Sequence, residues 1–106
     1  YYNIFRYDEI VDKQNLPYVE IEIKIKDFDI WVKAYDAEGK AVRETEGTLD
    51  MALAKDLNDP KKLTVVFAIK DMNKFKAAMA SDGKKKIMAD GGVIGPPRMT
   101  FFQNEK

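Results

Sequence analysis

Leu63–Ile69 constrains this chain more than any other stretch. Its two sides, Leu63/Val65/Phe67/Ile69 and Thr64/Val66/Ala68, are both largely apolar. That pattern predicts a central strand covered on both faces. Around it the sequence predicts a strand over Tyr18–Lys26, a helix over Phe28–Tyr35 and a weaker strand over Leu49–Leu53. After it come a helix over Asp71–Ala89, a glycine- and proline-punctuated turn over Gly91–Pro97 and a closing strand over Met99–Phe102. The order is β-α-β-β-α-β, an α+β arrangement in one domain. It narrows the fold to very few choices and leaves the function open.

The first strand has the cleanest local signal. Val19, Ile21, Ile23 and Ile25 alternate with Glu20, Glu22, Lys24 and Lys26, so one face is aliphatic and the other charged. Asp27 is placed to cap the helix that follows, whose apolar stripe is Phe28, Trp31, Val32 and Tyr35. Gly39 weakens that helix, Ala41–Arg43 extend it and Gly47 stops it. In the weaker strand Leu49, Met51 and Leu53 are expected on one face, alternating with Asp50 and Ala52. Asn58-Asp59-Pro60-Lys61 is turn chemistry. Asp71 caps the second helix, with Met72, Phe75, Ala78 and Met79 on its buried stripe. Ser81 or Asp82 restarts a turn carrying Ile87 and Met88, and Gly91-Gly92 ends it. Residues 1–17 are expected to form an N-terminal arm on the surface or on a partner subunit, or else a frayed terminus. Residues 18–106 are the single α+β domain.

Composition excludes more than it suggests. With no histidine and no cysteine, the chain lacks the commonest general acid/base, the Ser-His and Cys-His arrangements, a disulfide framework and proximal-His haem ligation. Eighteen basic residues balance 18 acidic ones, so no global field attracts nucleic acid. Lys84-Lys85-Lys86 reads as a solvated helix face. No apolar run approaches the roughly 20 residues a bilayer requires. The chain starts at Tyr1 rather than Met. The compartment is therefore left open between the cytoplasm and export after loss of a signal peptide. No cofactor, metal, nucleic acid or membrane is expected.

The segment Asn58-Asp59-Pro60-Lys61-Lys62-Leu63-Thr64-Val65-Val66-Phe67 is followed by Asp71-Met72-Asn73-Lys74-Phe75 and Gly92-Val93-Ile94-Gly95-Pro96-Pro97. Together they resemble the dimeric α/β-barrel superfamily, which includes the antibiotic-biosynthesis monooxygenase-like proteins. The helix start Asp27-Phe28-Asp29-Ile30-Trp31 is similar to small members of that group. The resemblance covers roughly residues 18 to 103. It implies ferredoxin-like protomers: a four-stranded antiparallel sheet, spatial order 4-1-3-2, with two helices on one face. The opposite sheet face would meet that of a second subunit to close a barrel. Each protomer would keep a pocket between sheet and helices or in the barrel lumen. Haem-degrading members need a histidine that this chain lacks. The quinone-forming monooxygenases use an Asn, a Trp and an Arg; Trp31 and Arg43 are present here, with no Asn at a matching position.

Seven residues are the candidate ligand contacts: Glu20, Glu22, Trp31, Tyr35, Arg43, Phe67 and Met79. Glu20 and Glu22 bind a polar ligand, or lie on a wet or ion-paired sheet face. Trp31 and Tyr35, at i and i+4, wall an aromatic pocket, or pack as ordinary core. Arg43 clamps a carboxylate or phenolate, favours the helix C-terminus, or pairs on the surface with Glu44 or Glu46, which is the expectation. The methionines suit an adaptable cavity or fill core gaps. Two functions compete. One is a small metal-free enzyme acting on an apolar or aromatic molecule, such as a cofactor-independent monooxygenase-like or isomerase-like protein. The other is a noncatalytic homodimer with a binding or structural role, and a dimer binding a small apolar or aromatic molecule is the expectation. The first requires the aromatic candidates and Arg43 to converge on one cavity, of roughly 300 Å3 or more.

Overall fold

Strict alternation makes the first strand two-sided, and the fold uses both sides. The computed structural model describes residues 16–103, so most of the expected arm lies outside the described residues. β1 (Tyr18–Ile25) turns Val19, Ile21, Ile23 and Ile25 onto the helices, where all four are buried. Asp27 caps α1 (Phe28–Glu38), its Oδ1 accepting from the Ile30 amide at 3.1 Å. Trp31 is the buried centre of the α1 stripe, with Phe28, Val32 and Tyr35 packed beside it. Gly39 ends α1 at φ +83°, and a separate short helix, α2 (Lys40–Thr45), follows.

Gly47, at φ +87°, joins α2 to β2 (Thr48–Lys55). A Cβ there would lie 2.5 Å from the Asp71 carbonyl oxygen. Only glycine fits both the backbone angle and the close approach. The Gly47 carbonyl in turn accepts from the amides of Lys70 (2.8 Å) and Asp71 (3.2 Å). This ties the start of β2 to the end of β3 (Lys62–Ile69) and the cap of α3 (Met72–Ala80). Asp71 Oδ1 accepts from the Lys74 amide at 3.0 Å, the expected cap. In the β2–β3 turn, Asp56 Oδ1 accepts from the amides of Asn58 and Asp59, and Asp59 Oδ1 from that of Lys61.

The sheet is antiparallel throughout, in the order β2-β3-β1-β4, with β4 spanning Val93–Phe102. That is the expected 4-1-3-2 arrangement. Val19 faces Phe67, Ile21 faces Val65 and Ile23 faces Leu63. These residues, with Ile25, Leu53, Ile69, Trp31 and Phe75, form the core under the helices. Val66 and Ala68 point the other way and are buried with Met51. β3 is therefore covered on both faces, as its double apolar pattern requires.

Three local expectations are corrected. First, Leu49, Met51 and Leu53 do not share a face. The β2–β3 register shifts between Asp50 and Ala52, making Met51 the extra residue of a bulge. An offset of one residue reverses the sides. Leu49 and Met51 join the far face, while Thr48, Asp50 and Leu53 turn toward the helices. Second, the helix expected over Asp71–Ala89 is two, the restart read at Ser81 or Asp82 being a full break. Ser81, extended at ψ 147°, breaks it, and its Oγ caps α4 (Asp82–Asp90) by accepting from the Lys84 amide at 3.2 Å. Third, Gly91–Pro97 is not one turn. β4 begins at Val93 and carries Gly95-Pro96-Pro97 within it. The β1–β4 register shifts between Glu22 and Lys24, opposite these residues. Proline is tolerated there because β4 is an edge strand and the ladder is already interrupted.

Candidate functional site

The helix side of the sheet and the helices do not close completely. β1 contributes Ile21 and Ile23, β3 contributes Val65 and Phe67, and α1 contributes Trp31, Ala34 and Tyr35. α3 adds Phe75, Ala78 and Met79, and α4 adds Lys84, Ile87 and Met88. They surround a half-open cavity of about 100 Å3 whose walls are chiefly apolar. Helical spacing brings Trp31 and Tyr35 together, with ring centroids 4.8 Å apart and planes 22° from parallel. The Arg43 guanidinium lies on the Tyr35 ring, 3.7 Å from its centroid. The result is a Trp31–Tyr35–Arg43 column along one wall.

Arg43 is 6% exposed, so its charge must be met inside the protein. Asp50, turned inward by the bulge, meets it. Nε donates to Asp50 Oδ1 at 2.9 Å and Nη2 to Oδ2 at 2.8 Å, a bidentate pair. Nη1 donates to the Tyr35 carbonyl at 2.8 Å and stands 3.6 Å from Glu38 Oε1. Thr48 Oγ1 donates to the Arg43 carbonyl at 2.9 Å. Lys84 reaches across from α4, its Nζ donating to Glu38 Oε2 at 2.6 Å and Glu46 Oε1 at 2.7 Å. Burial works against the Arg43 charge, but the Asp50 hydrogen bonds and the charges around it hold its pKa above the ordinary value. The Tyr35 phenol is pushed well above the usual range, first by burial and then by the Asp50 carboxylate. It is a neutral phenol at physiological pH, able to hydrogen-bond but not to act as a phenolate base.

Five of the seven candidates meet in this cavity: Trp31, Tyr35, Arg43, Phe67 and Met79. Glu20 and Glu22 do not. They lie on the other sheet face, Glu20 opposite Val66 and Thr100, Glu22 opposite Thr64 and Arg98. Glu22 stands 3.6 Å from Arg98 and borders a wide, open groove at the end of the sheet. Arg43 corrects the expectation of surface pairing with Glu44 or Glu46. Its ion-pair partner within hydrogen-bond reach is Asp50, and both are buried. Lys84 corrects the reading of its lysine run as a solvated face: its side chain is 11% exposed, while Lys85 and Lys86 are exposed.

Sequence reasoning missed Asp50, Glu38, Glu46 and Lys84. The only signal for Asp50 was a carboxylate between apolar neighbours in a strand, which simple alternation sends outward. Lys84 and Glu38 are 46 residues apart, and nothing local links them. Among the described residues no three acidic side chains converge as a metal site would need. Among the same residues no helix is long and apolar enough to cross a membrane.

No protein-family model matches the sequence, and no curated protein is significantly similar to it. Solved structures do match. One is a Caulobacter crescentus protein described as an antibiotic biosynthesis monooxygenase, 16% identical, with 87% of this chain and 92% of that chain covered and a TM-score of 0.67. Another is a Streptomyces coelicolor monooxygenase solved with the ligand nanaomycin D, 13% identical, covering 92% and 95%, TM-score 0.63. A third is a cofactor-independent oxygenase from Streptomyces nogalater, 9% identical, covering 87% and 95%, TM-score 0.63. At these identities the likeness is one of fold. This chain has a ferredoxin-like fold, the fold of the solved antibiotic biosynthesis monooxygenase structures it matches.

Proposed function

We propose that this protein is a homodimer that binds one small apolar or aromatic molecule per protomer, in the cavity between the sheet and the helices. The observation that carries this reading is the convergence of Trp31, Tyr35, Phe67, Phe75 and Met79 on a single space. Its volume, about 100 Å3, is below the 300 Å3 set as the expectation. It approaches the apolar cavities of about 150 Å3 that take a benzene ring. The ligand is therefore at most a single ring in size, with any substituent reaching the open side, and a larger ring enters only where Met79 and Met88 swing aside. The half-buried Leu49 and Ala52 on the far sheet face support self-association through that face.

An oxygenase reading draws on the solved relatives and on Trp31 and Arg43. It is the weaker one, because the Arg43 fork is already occupied by Asp50. Binding is tested by fluorine NMR with para-fluorobenzyl alcohol, together with Ala78→Leu, which fills the cavity. The expected result is a broadened, shifted resonance with the wild type and at least about tenfold weaker binding to the variant. Ala34→Leu is the second filling variant should Ala78→Leu not fold. No broadening with this alcohol, its amine analogue or its carboxylate analogue, or unchanged binding to a folded filled variant, rejects the proposal. Light scattering tests the dimer, and a monomer at micromolar concentration rejects that part.

A further inference from the structure

The charged end of the cavity says which ring-sized molecules it takes. Arg43 and Lys84 are the two cations lining it. Three carboxylates stand against them: Asp50 on Arg43, Glu46 on Lys84, and Glu38 between the two. The cluster thus has one more negative than positive charge. Asp50 bonds Arg43 without itself lining the cavity; among the described residues the charged side chains on the wall are Arg43, Lys84, Glu38 and Glu46. Both cations have already spent their best-placed donors on protein oxygens, whereas the Glu46 carboxylate has an oxygen outside the Lys84 bond and a quarter of its side chain exposed.

From this we infer that the cavity selects its ligand by charge and polarity, admitting neutral or cationic hydrogen-bond donors, such as aryl alcohols and aryl amines, and excluding aryl carboxylates. The inference rests on the binding reading above and adds the ligand's chemical class. An entering carboxylate finds no uncommitted cation. To gain a partner it must take a remaining N–H of Arg43 or Lys84, whose charge protein carboxylates already balance, or displace Asp50, Glu38 or Glu46 and leave a protein carboxylate unpaired where water is scarce. An ammonium or hydroxyl needs no displacement, because carboxylate oxygens carry lone pairs beyond those in use. Tyr35 reports the same field from inside the protein. After burial, the charges of Asp50, Glu38 and Asp36 all disfavour its phenolate, and Arg43 alone among its charged neighbours favours it. An anionic ring beside Tyr35 meets the environment that keeps Tyr35 itself neutral.

Three probes of one shape separate the possibilities: para-fluorobenzylamine, para-fluorobenzyl alcohol and para-fluorobenzoate, titrated by fluorine NMR at neutral pH. The expected result is binding of the amine and the alcohol, with benzoate at least about tenfold weaker than the alcohol. Glu46→Gln removes the excess negative charge and is expected to shrink the amine-to-benzoate affinity ratio by roughly fivefold or more. Lys84→Met raises the excess and is expected to enlarge that ratio. The ratio is read because it cancels any general loosening of the site, and the two variants move it in opposite directions. Benzoate binding as tightly as the alcohol overturns the charge selection and leaves the binding proposal standing. So does a ratio unmoved by both variants. Failure of all three probes to bind overturns the binding proposal itself.

Discussion

Asp50→Asn is the sharpest perturbation of this structure. The substitution keeps the side-chain size and removes one charge. Asp50 now receives two bonds from Arg43, at 2.9 and 2.8 Å, and both residues are 6% exposed. The amide retains one acceptor oxygen, so one of the two bonds survives as a bond to a neutral group. Arg43 keeps the Tyr35 carbonyl at 2.8 Å and Glu38 at 3.6 Å. What is lost is one charge-assisted bond and the buried counter-charge. Removing one partner of a buried pair costs about 3–5 kcal/mol. The surviving bonds place Asp50→Asn at the lower end, about 3 kcal/mol. For a domain near 100 residues this lowers Tm by at least about 12 °C. Urea unfolding followed by circular dichroism measures it, and an unchanged m-value shows that the transition stays two-state. The double variant Arg43→Met, Asp50→Leu removes both charges and should recover at least about half of the loss, because no charge is left stranded. A loss below about 1 kcal/mol for Asp50→Asn, or a double variant less stable than the single one, would falsify the claim that this pair is a buried, mutually satisfied unit.

Two further outcomes follow from the same region. Tyr35 ionises above the usual phenol value of about 10, because burial and then the Asp50 charge oppose its phenolate. Its raised pKa stabilises the fold below the unfolded value, and that contribution fades as pH rises toward the folded one. Absorbance at the tyrosinate band should show one phenol resisting titration until the protein unfolds, and Tyr35→Phe should abolish that late step. Lys84→Met removes the bonds from α4 to Glu38 and Glu46, and α4 has no buried residue of its own to replace them. A local loss of about 2 kcal/mol should speed amide exchange in α4 roughly 30-fold while leaving β1 and β3 protected. Uniform acceleration across the sheet would contradict a local role.

The legible part of this protein was the part encoded locally. Period-two alternation assigned the two faces of β1, and the double apolar pattern made β3 central. Asp27 and Asp71 announced their helices because a carboxylate before an apolar stripe meets free amides. Trp31 and Tyr35 share a helical face by spacing alone. Phe67 and Met79 entered the candidate list as core residues that also line the cavity. The charged end was not legible. One extra residue at Met51 reverses the side to which Asp50 points, and alternation cannot register a bulge before the strands pair. The break at Ser81 aims Lys84 at carboxylates 46 and 38 residues away. The sequence by itself determined which faces are apolar and in what order the elements run, because those follow from side-chain periodicity and capping. Only the tertiary structure decided that Arg43 is buried, which carboxylate holds it and what net charge the cluster at the cavity's end carries, because these depend on the register of distant strands and on where one helix ends and the next begins.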